Sequence, residues 1–181
     1  MKVCVHLADG FEEIEAITVI DVLRRAKIPV EAVSVTGKSE VVGAHNVTIH
    51  CDDLIENIDY ANCTMIVLPG GMPGTLNLQN HAGLLNAIRE FNNKEKWIAA
   101  ICAAPKILGN MGILNGVEAT CYPGFEEELE GAIISKETVV HQDHIITSRG
   151  AGTALEFSLK LVEILLDKVT AMDLREKMII L

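Results

Sequence analysis

Three short stretches combine residue types that can do chemistry. In Ala99-Ala100-Ile101-Cys102-Ala103-Ala104-Pro105 a thiol falls where a buried apolar strand must turn into a helix. Small residues on both sides permit a tight, strained turn of the nucleophile-elbow kind, and Pro105 in the first helical turn costs no hydrogen bond. A helix start offers unpaired N–H groups and a positive dipole end, which lower a thiol pKa. A free thiol of pKa ~8.5 is only a few per cent thiolate at pH 7, and a drop of about two units makes thiolate the main form. The plain alternative is a core cysteine at a strand end.

The second stretch, Leu68-Pro69-Gly70-Gly71-Met72-Pro73-Gly74, lets successive backbone N–H groups form an anion-binding nest. Donors from Gly70 or Gly71, joined by Ala103 N–H, would make an oxyanion hole; a tight strand-to-helix turn explains the glycines equally well. The third stretch, Asp9-Gly10-Phe11-Glu12-Glu13-Ile14-Glu15, places three acids at a helix start, ordinarily complements to the dipole on a solvated face. Glu15, one turn in, is also placed to point at the thiol across the sheet top. A protonated Glu15 donating to the sulfur stabilises thiolate, whereas two like charges raise both pKa values.

These stretches need a scaffold, and the rest of the sequence describes one. The chain has 181 residues, about the length of one domain with a sizeable core, and we expect a single domain over 1–181. Apolar β-branched runs alternate with helix-period segments, the pattern of an α/β fold whose parallel sheet is covered on both faces. Strands are expected over 3–8, 30–35, 65–68 and 97–101, with a short strand or edge hairpin over 41–50 and a hairpin over 139–147 that turns at Gln142-Asp143. Helices are expected over 12–26, with Ile14, Ile17, Val19, Ile20 and Leu23 as its apolar positions, and over 76–91, 103–111 and 153–166. Residues 170–181 form a C-terminal appendage. Ligands of such sheets bind beyond the carboxyl ends of the strands, where all three stretches fall.

Composition excludes several function classes. With 15 Lys plus Arg against 25 Asp plus Glu, the net charge of -10 repels polyphosphate, so no nucleic acid partner is expected. The longest apolar run, 97–104, is far short of a membrane span, and the opening residues lead into a charged helix without a leader-type apolar segment. We expect a soluble, cytoplasmic protein with reduced thiols. The five cysteines (4, 51, 63, 102, 121) contain no C-x-x-C pair and, Cys102 apart, read as small buried hydrophobes.

His45, His50, Cys51, Asp52 and Asp53 have metal-ligand side chains, but strand alternation separates them and no metal is expected. His141 and His144 flank a turn and are expected in solvent, and 126–130 reads as a solvated acidic face. Arg149 with the loop 150–153 offers an anion cradle, a Thr153 helix cap being the simpler account.

Taken together, Glu-Glu-Ile-Glu ending at Glu15, the Leu-Pro-Gly-Gly loop, Ala-Ile-Cys-Ala-Ala-Pro and Thr147-Ser148-Arg149-Gly150-Ala151-Gly152-Thr153 resemble the ThiJ/PfpI superfamily, on the branch of the Parkinsonism-associated deglycase, over about the first 168 residues. The resemblance implies a flavodoxin-like sandwich related to class I glutamine amidotransferases, a homodimer and no cofactor. It implies Cys102 as the reactive cysteine, Glu15 as its protonated partner, and Gly71 and Ala103 as backbone donors. It implies cysteine-dependent action on methylglyoxal, glyoxal or early glycation adducts of amines and thiols, or else a stress protein or chaperone that senses oxidation through Cys102.

Two departures matter. Thr120-Cys121-Tyr122-Pro123 carries Tyr122 where many relatives have His, and Ala103 stands where the peptidase-like branch has His, so neither a Cys-His dyad nor peptidase activity is expected. Tyr122, Arg149 and His45 are pocket candidates. Arg25, or Arg24, is the candidate for the basic residue that reaches the partner's pocket in relatives. An older family label points to thiamine thiazole phosphate synthesis, but no G-x-x-x-x-G-K loop is present for a kinase.

Overall fold

The computed structural model describes residues 1–180. Eleven strands and six α-helices follow one another as β1 (Val3–Leu7), α1 (Glu13–Arg25), β2 (Val30–Ser34), β3 (Glu40–Val42), β4 (Thr48–His50), β5 (Asp53–Leu54), β6 (Met65–Leu68), α2 (Gly74–Gln79), α3 (Ala82–Asn93), β7 (Trp97–Ile101), α4 (Pro105–Asn110), β8 (Glu118–Ala119), β9 (Ile133–Ile134), β10 (Val139–Gln142), β11 (Ile145–Ser148), α5 (Ala154–Leu165) and α6 (Lys168–Lys177). The main sheet has seven strands in the order β10-β11-β7-β6-β1-β2-β5. Every pairing is parallel except β10 with β11. The expected α/β sandwich with a mostly parallel sheet is therefore what forms.

Its central strands are apolar throughout because both faces are covered. β1 and β6 are buried at every residue. Val67 lies in register with Val5 on one side and Ala99 on the other, so the carboxyl ends of β1, β6 and β7 come out together. Alternate side chains feed two cores, one shared with α1, α5 and α6, the other with α3 and α4.

Several expectations on local structure need correction. On α1 the inward stripe is Glu15, Ala16, Val19, Val22 and Leu23, whereas Ile14 and Ile17 are 56% and 42% exposed. Glu15 thus occupies a core position at helical spacing from Val19 and Val22, which is why its carboxyl turns inward. The helix expected over 76–91 is two, because His81 ends α2 and caps α3: its Nδ1 accepts Leu84 N–H at 3.1 Å. Residues 41–50 make a separate two-stranded antiparallel sheet rather than an edge of the main one. α4 begins only at Pro105, since residues 102–104 form the turn. The C-terminal appendage is largely helical, and its last residue lies outside the described ones.

The acidic face at 126–130 is not simply solvated: Glu128 pairs at 2.8 Å with Lys106, a buried cation. His144 is part-buried against Asn92 Oδ1 at 3.0 Å, while His141 stays exposed beside Trp97. All five cysteines are free thiols, and all but Cys102 are buried.

Candidate functional site

Cys102 sits immediately beyond β7 with φ +65°, left-handed backbone that costs a non-glycine residue roughly 1–3 kcal/mol. Two hydrogen bonds hold it there: Cys102 N–H donates to Ser148 O at 3.0 Å, and Tyr122 N–H donates to Cys102 O at 2.8 Å. The first is possible because β11 lies parallel to β7 with Ser148 beside Ile101. The elbow is thereby fixed from both sides, and its side chain is presented, part-exposed, above the sheet.

Glu15 enters from α1 and is fully buried. Its Oε2 accepts Gly70 N–H at 2.7 Å, while Oε1 has no partner. The Gly70 N–H is thus spent on Glu15, and the backbone donors that act on the Cys102 sulfur are those of Ala103 and Gly71. Both loop glycines are required by crowding. A Cβ on Gly70 would lie 2.7 Å from Cys102 Cβ and 2.9 Å from Glu15 Oε2, and one on Gly71, at φ +90°, would lie 2.4 Å from Glu12 N.

The electrostatics modify the simple helix-start argument. Burial pushes the Glu15 carboxyl up to about 7, against the opposing effects of Cys102 and the Gly70 N–H. Burial and then the charge of Glu15 push the Cys102 thiol up as well, with Ala103 and Gly71 N–H pulling it down. A helix start alone therefore does not make this thiol acidic. Because the charge of Glu15 is among the causes that raise the thiol, the sulfur ionises more readily when a proton rests on Glu15. The orphaned Oε1 favours this arrangement, because a buried carboxylate oxygen without a donor is costly and a carboxylic O–H can donate.

Gly150 and Tyr122 stand beside the sulfur. A Cβ on Gly150 would meet the Tyr122 ring at 3.2 Å and Cys102 Sγ at 4.0 Å. Thr153 does not cap α5; its hydroxyl donates to Gly150 O at 2.8 Å, accepts Gly150 N–H at 3.1 Å and meets Ser148 Oγ at 2.7 Å, fixing the loop next to Cys102. That role for Gly150 was not apparent from the sequence, where the loop suggested an anion cradle or, more simply, a Thr153 helix cap.

The remaining candidates fall elsewhere. Arg149 donates to Lys136 O at 3.4 Å. Arg25 is paired with Asp21 at 2.6 Å on its own helix, and Arg24 with Asp52 at 2.7 Å. His45 is exposed and bonded to Glu13, whose Oε1 accepts His45 N–H at 2.6 Å and whose Oε2 lies 2.8 Å from Nδ1. Glu13 is accordingly buried and occupied rather than solvated, a contact between residues 32 apart that no local pattern signals. Among the described residues, Glu12, Glu13 and His45 are the group whose ligand-type atoms come together, and His50, Cys51, Asp52 and Asp53 do not converge.

Residues 1–164 match the DJ-1/PfpI family. The chain belongs to that family. It is 40% identical over 174 residues, 95% of its length, to Protein DJ-1 homolog B of Arabidopsis thaliana, but spans only 40% of that relative. It is 32% identical over 173 residues, 90% of each chain, to the glutathione-independent glyoxalase DJ-1 of Schizosaccharomyces pombe. The solved structure of oxidized Toxoplasma gondii DJ-1 superposes with TM-score 0.94 at 35% identity, covering 98% of this chain and 97% of that one. The DJ-1/PfpI fold accounts for the sheet order and both helical layers, and no helix among the described residues is long and apolar enough to cross a membrane.

Proposed function

We propose that this DJ-1/PfpI chain detoxifies small reactive carbonyls, methylglyoxal or glyoxal and their early adducts, through the Cys102 thiolate with protonated Glu15 as proton partner. One observation carries the reading: a fully buried Glu15 with an orphaned oxygen beside a strained, part-exposed cysteine. The sulfur attacks the aldehyde carbon, a C–S bond forms, and the carbonyl pair moves to oxygen, which takes the Glu15 proton. The resulting Glu15 carboxylate removes the C–H proton and returns it to the neighbouring carbon while the hydroxyl proton passes to that carbon's oxygen, so that the hemithioacetal becomes the thioester of a hydroxy acid. Water then cleaves the C–S bond and restores the thiol. The N–H groups of Gly71 and Ala103 steady the sulfur in its charged state. The S. pombe relative's name as a glyoxalase supports this chemistry.

The test is lactate formation from methylglyoxal, expected in the wild type, absent in Cys102→Ser and lowered by about 10²–10⁴-fold in Glu15→Gln. The proton arrangement has its own test in the pH dependence of Cys102 alkylation. A wild-type midpoint well below ~8.5 that rises in Glu15→Gln supports it; reactivity that appears only in strong alkali and improves in Glu15→Gln would put the charge on the carboxylate instead.

A second reading uses the same orphaned oxygen: Glu15 O–H donating to a Cys102 sulfinate in a stress protein that senses oxidation without turnover. Gain of two oxygens at Cys102 under mild peroxide, with no lactate formed, would favour it. Location in the cytoplasm and assembly as a homodimer belong to the same proposal, the exposed Ile14 and Ile17 of α1 offering apolar surface for a second copy.

A further inference from the structure

A second pair of reactive groups lies at the opposite end of the sheet. Cys4, the second residue of β1, and Cys63, just ahead of β6, bring their sulfurs to 3.1 Å inside the core shared with α3 and α4. Neither is bonded to the other covalently, and both are buried. Cys63 Sγ also lies 3.2 Å from Met65 O. The chain around Cys63 is a tight turn: Cys63 N–H donates to Tyr60 O at 3.3 Å, and Lys96 Nζ gathers the carbonyls of Tyr60, Ala61 and Cys63 at 3.0, 3.3 and 2.6 Å. Disulfide sulfurs lie ~2.05 Å apart, so these two need to close by about 1 Å.

We propose that Cys4 and Cys63 are a second redox site, a buried dithiol that hydroperoxide converts to an intramolecular disulfide when the turn at 59–64 opens. The step balances without a cofactor. The Cys63 sulfur attacks the peroxide, an S–O bond forms, the O–O bond breaks, and the departing oxygen leaves as water with the thiol proton. The Cys4 sulfur then attacks the sulfenic sulfur, the S–S bond forms, the S–O bond breaks, and the second water leaves with the Cys4 proton. The two thiols lose two electrons and hydrogen peroxide is reduced to water. The order follows from position: Cys63 lies in the turn whose opening exposes it, whereas Cys4 is held within β1, so Cys63 meets the peroxide and Cys4 resolves the sulfenic acid. Exposure of the pair depends on local opening of the Lys96-clamped turn rather than on global unfolding.

The experiment uses the full chain carrying Cys102→Ser, which removes the site of the proposed carbonyl chemistry, so failure of one proposal is distinguishable from failure of the other. After hydrogen peroxide and quenching with iodoacetamide, digestion without reductant is expected to yield a peptide pair joined through Cys4 and Cys63 that dithiothreitol separates. Cys4→Ala and Cys63→Ala are each expected to abolish the link, and Lys96→Met to speed its formation several-fold. Recovery of both cysteines alkylated, at a peroxide dose that fully oxidises Cys102 in the wild type, overturns the proposal. So does linkage of Cys63 to a cysteine other than Cys4. Because the link is read directly in a protein with both cysteines intact, poor folding of an alanine variant leaves the outcome decisive.

Discussion

The strands β1, β6 and β7 carry a thiol site at each end, and the two ends are built in opposite ways. At the carboxyl end the backbone is strained, glycines bring chains to within a Cβ of one another, and a buried carboxyl keeps an unpaired oxygen beside a part-exposed sulfur. At the amino end the sulfurs are sealed beneath a turn, and a lysine satisfies three carbonyls at once. Backbone strain and an unpartnered carboxyl oxygen mark the first end, whereas the turn at the second is ordered by carbonyls that a lysine satisfies.

The comparison breaks most severely if the wrong thiol carries the chemistry. Cys102→Ser is expected to reduce methylglyoxal turnover to background, whereas Cys4→Ala and Cys63→Ala leave the folded fraction turning over within about threefold of wild type, since distant independent sites couple weakly. Loss of turnover in the alanine variants with an intact fold would mean that the two ends communicate.

Proton linkage gives the next effect, and its sign differs between the buried Glu15 and the buried His6. His6 of β1, on the same face as Cys4 and bonded to Tyr60 Oη at 2.7 Å, is pushed down to about 3 by burial. The unfolded chain therefore binds the extra proton, and this contribution to stability is present above the ordinary value of 6.5 and lost as pH falls toward 3. Glu15 is pushed up to about 7, so the folded chain binds the extra proton, and its contribution is present below 4.5 and lost as pH rises through 7. At ~1.4 kcal/mol per unit these amount to about 5 and 3 kcal/mol at most. Urea unfolding between pH 4.5 and 6.5 is expected to show a steeper rise of stability with pH in Glu15→Gln and a fall with pH in His6→Gln. Identical slopes in both variants would contradict the opposite protonation preferences of Glu15 and His6.

How much of each end could be read in advance follows from the same contrast. The catalytic candidates announce themselves locally, because a strained elbow needs small neighbours around Cys102 and crowded loops need Gly70 and Gly71. Glu15 is legible too, although the apolar positions of its helix are misassigned when Ile14 and Ile17 are placed inside. The Cys4–Cys63 pair has no local mark: the residues are 59 apart and become neighbours only through the register of β1 with β6. The same holds for Glu13 with His45 and for Lys106 with Glu128. His81 splits a helix because its ring does the capping work usually left to Ser, Thr, Asp or Asn. The pull of burial on the Cys102 thiol is likewise a property of the assembled pocket rather than of the helix start beside it.

At the sealed end, Lys96→Met removes a cation that holds three carbonyls and is expected to cost about 2 kcal/mol in urea unfolding, as hydrogen bonds to a charged group usually do. Labelling of Cys4 and Cys63 under native conditions should quicken while that of Cys102 does not change. Equal acceleration at all three cysteines would indicate global loosening rather than release of the turn.

The smallest effect is expected at Tyr122. Its ring is half exposed and packs beside Gly150 and edge-on to Phe125, with centroids 6.4 Å apart, while its backbone N–H is the group that holds the Cys102 carbonyl. The ring lies against the glycine that borders the sulfur, and the main chain supplies the bond. Tyr122→Phe keeps both and is expected to change turnover by less than about threefold, under 1 kcal/mol. Tyr122→Gly, which opens the space beside Gly150 and loosens the backbone at the bond to Cys102, should slow turnover further and speed alkylation of Cys102 by a bulky reagent. A large loss in Tyr122→Phe alone would make the hydroxyl a proton donor in the reaction, and Glu15 would no longer suffice as the proton partner.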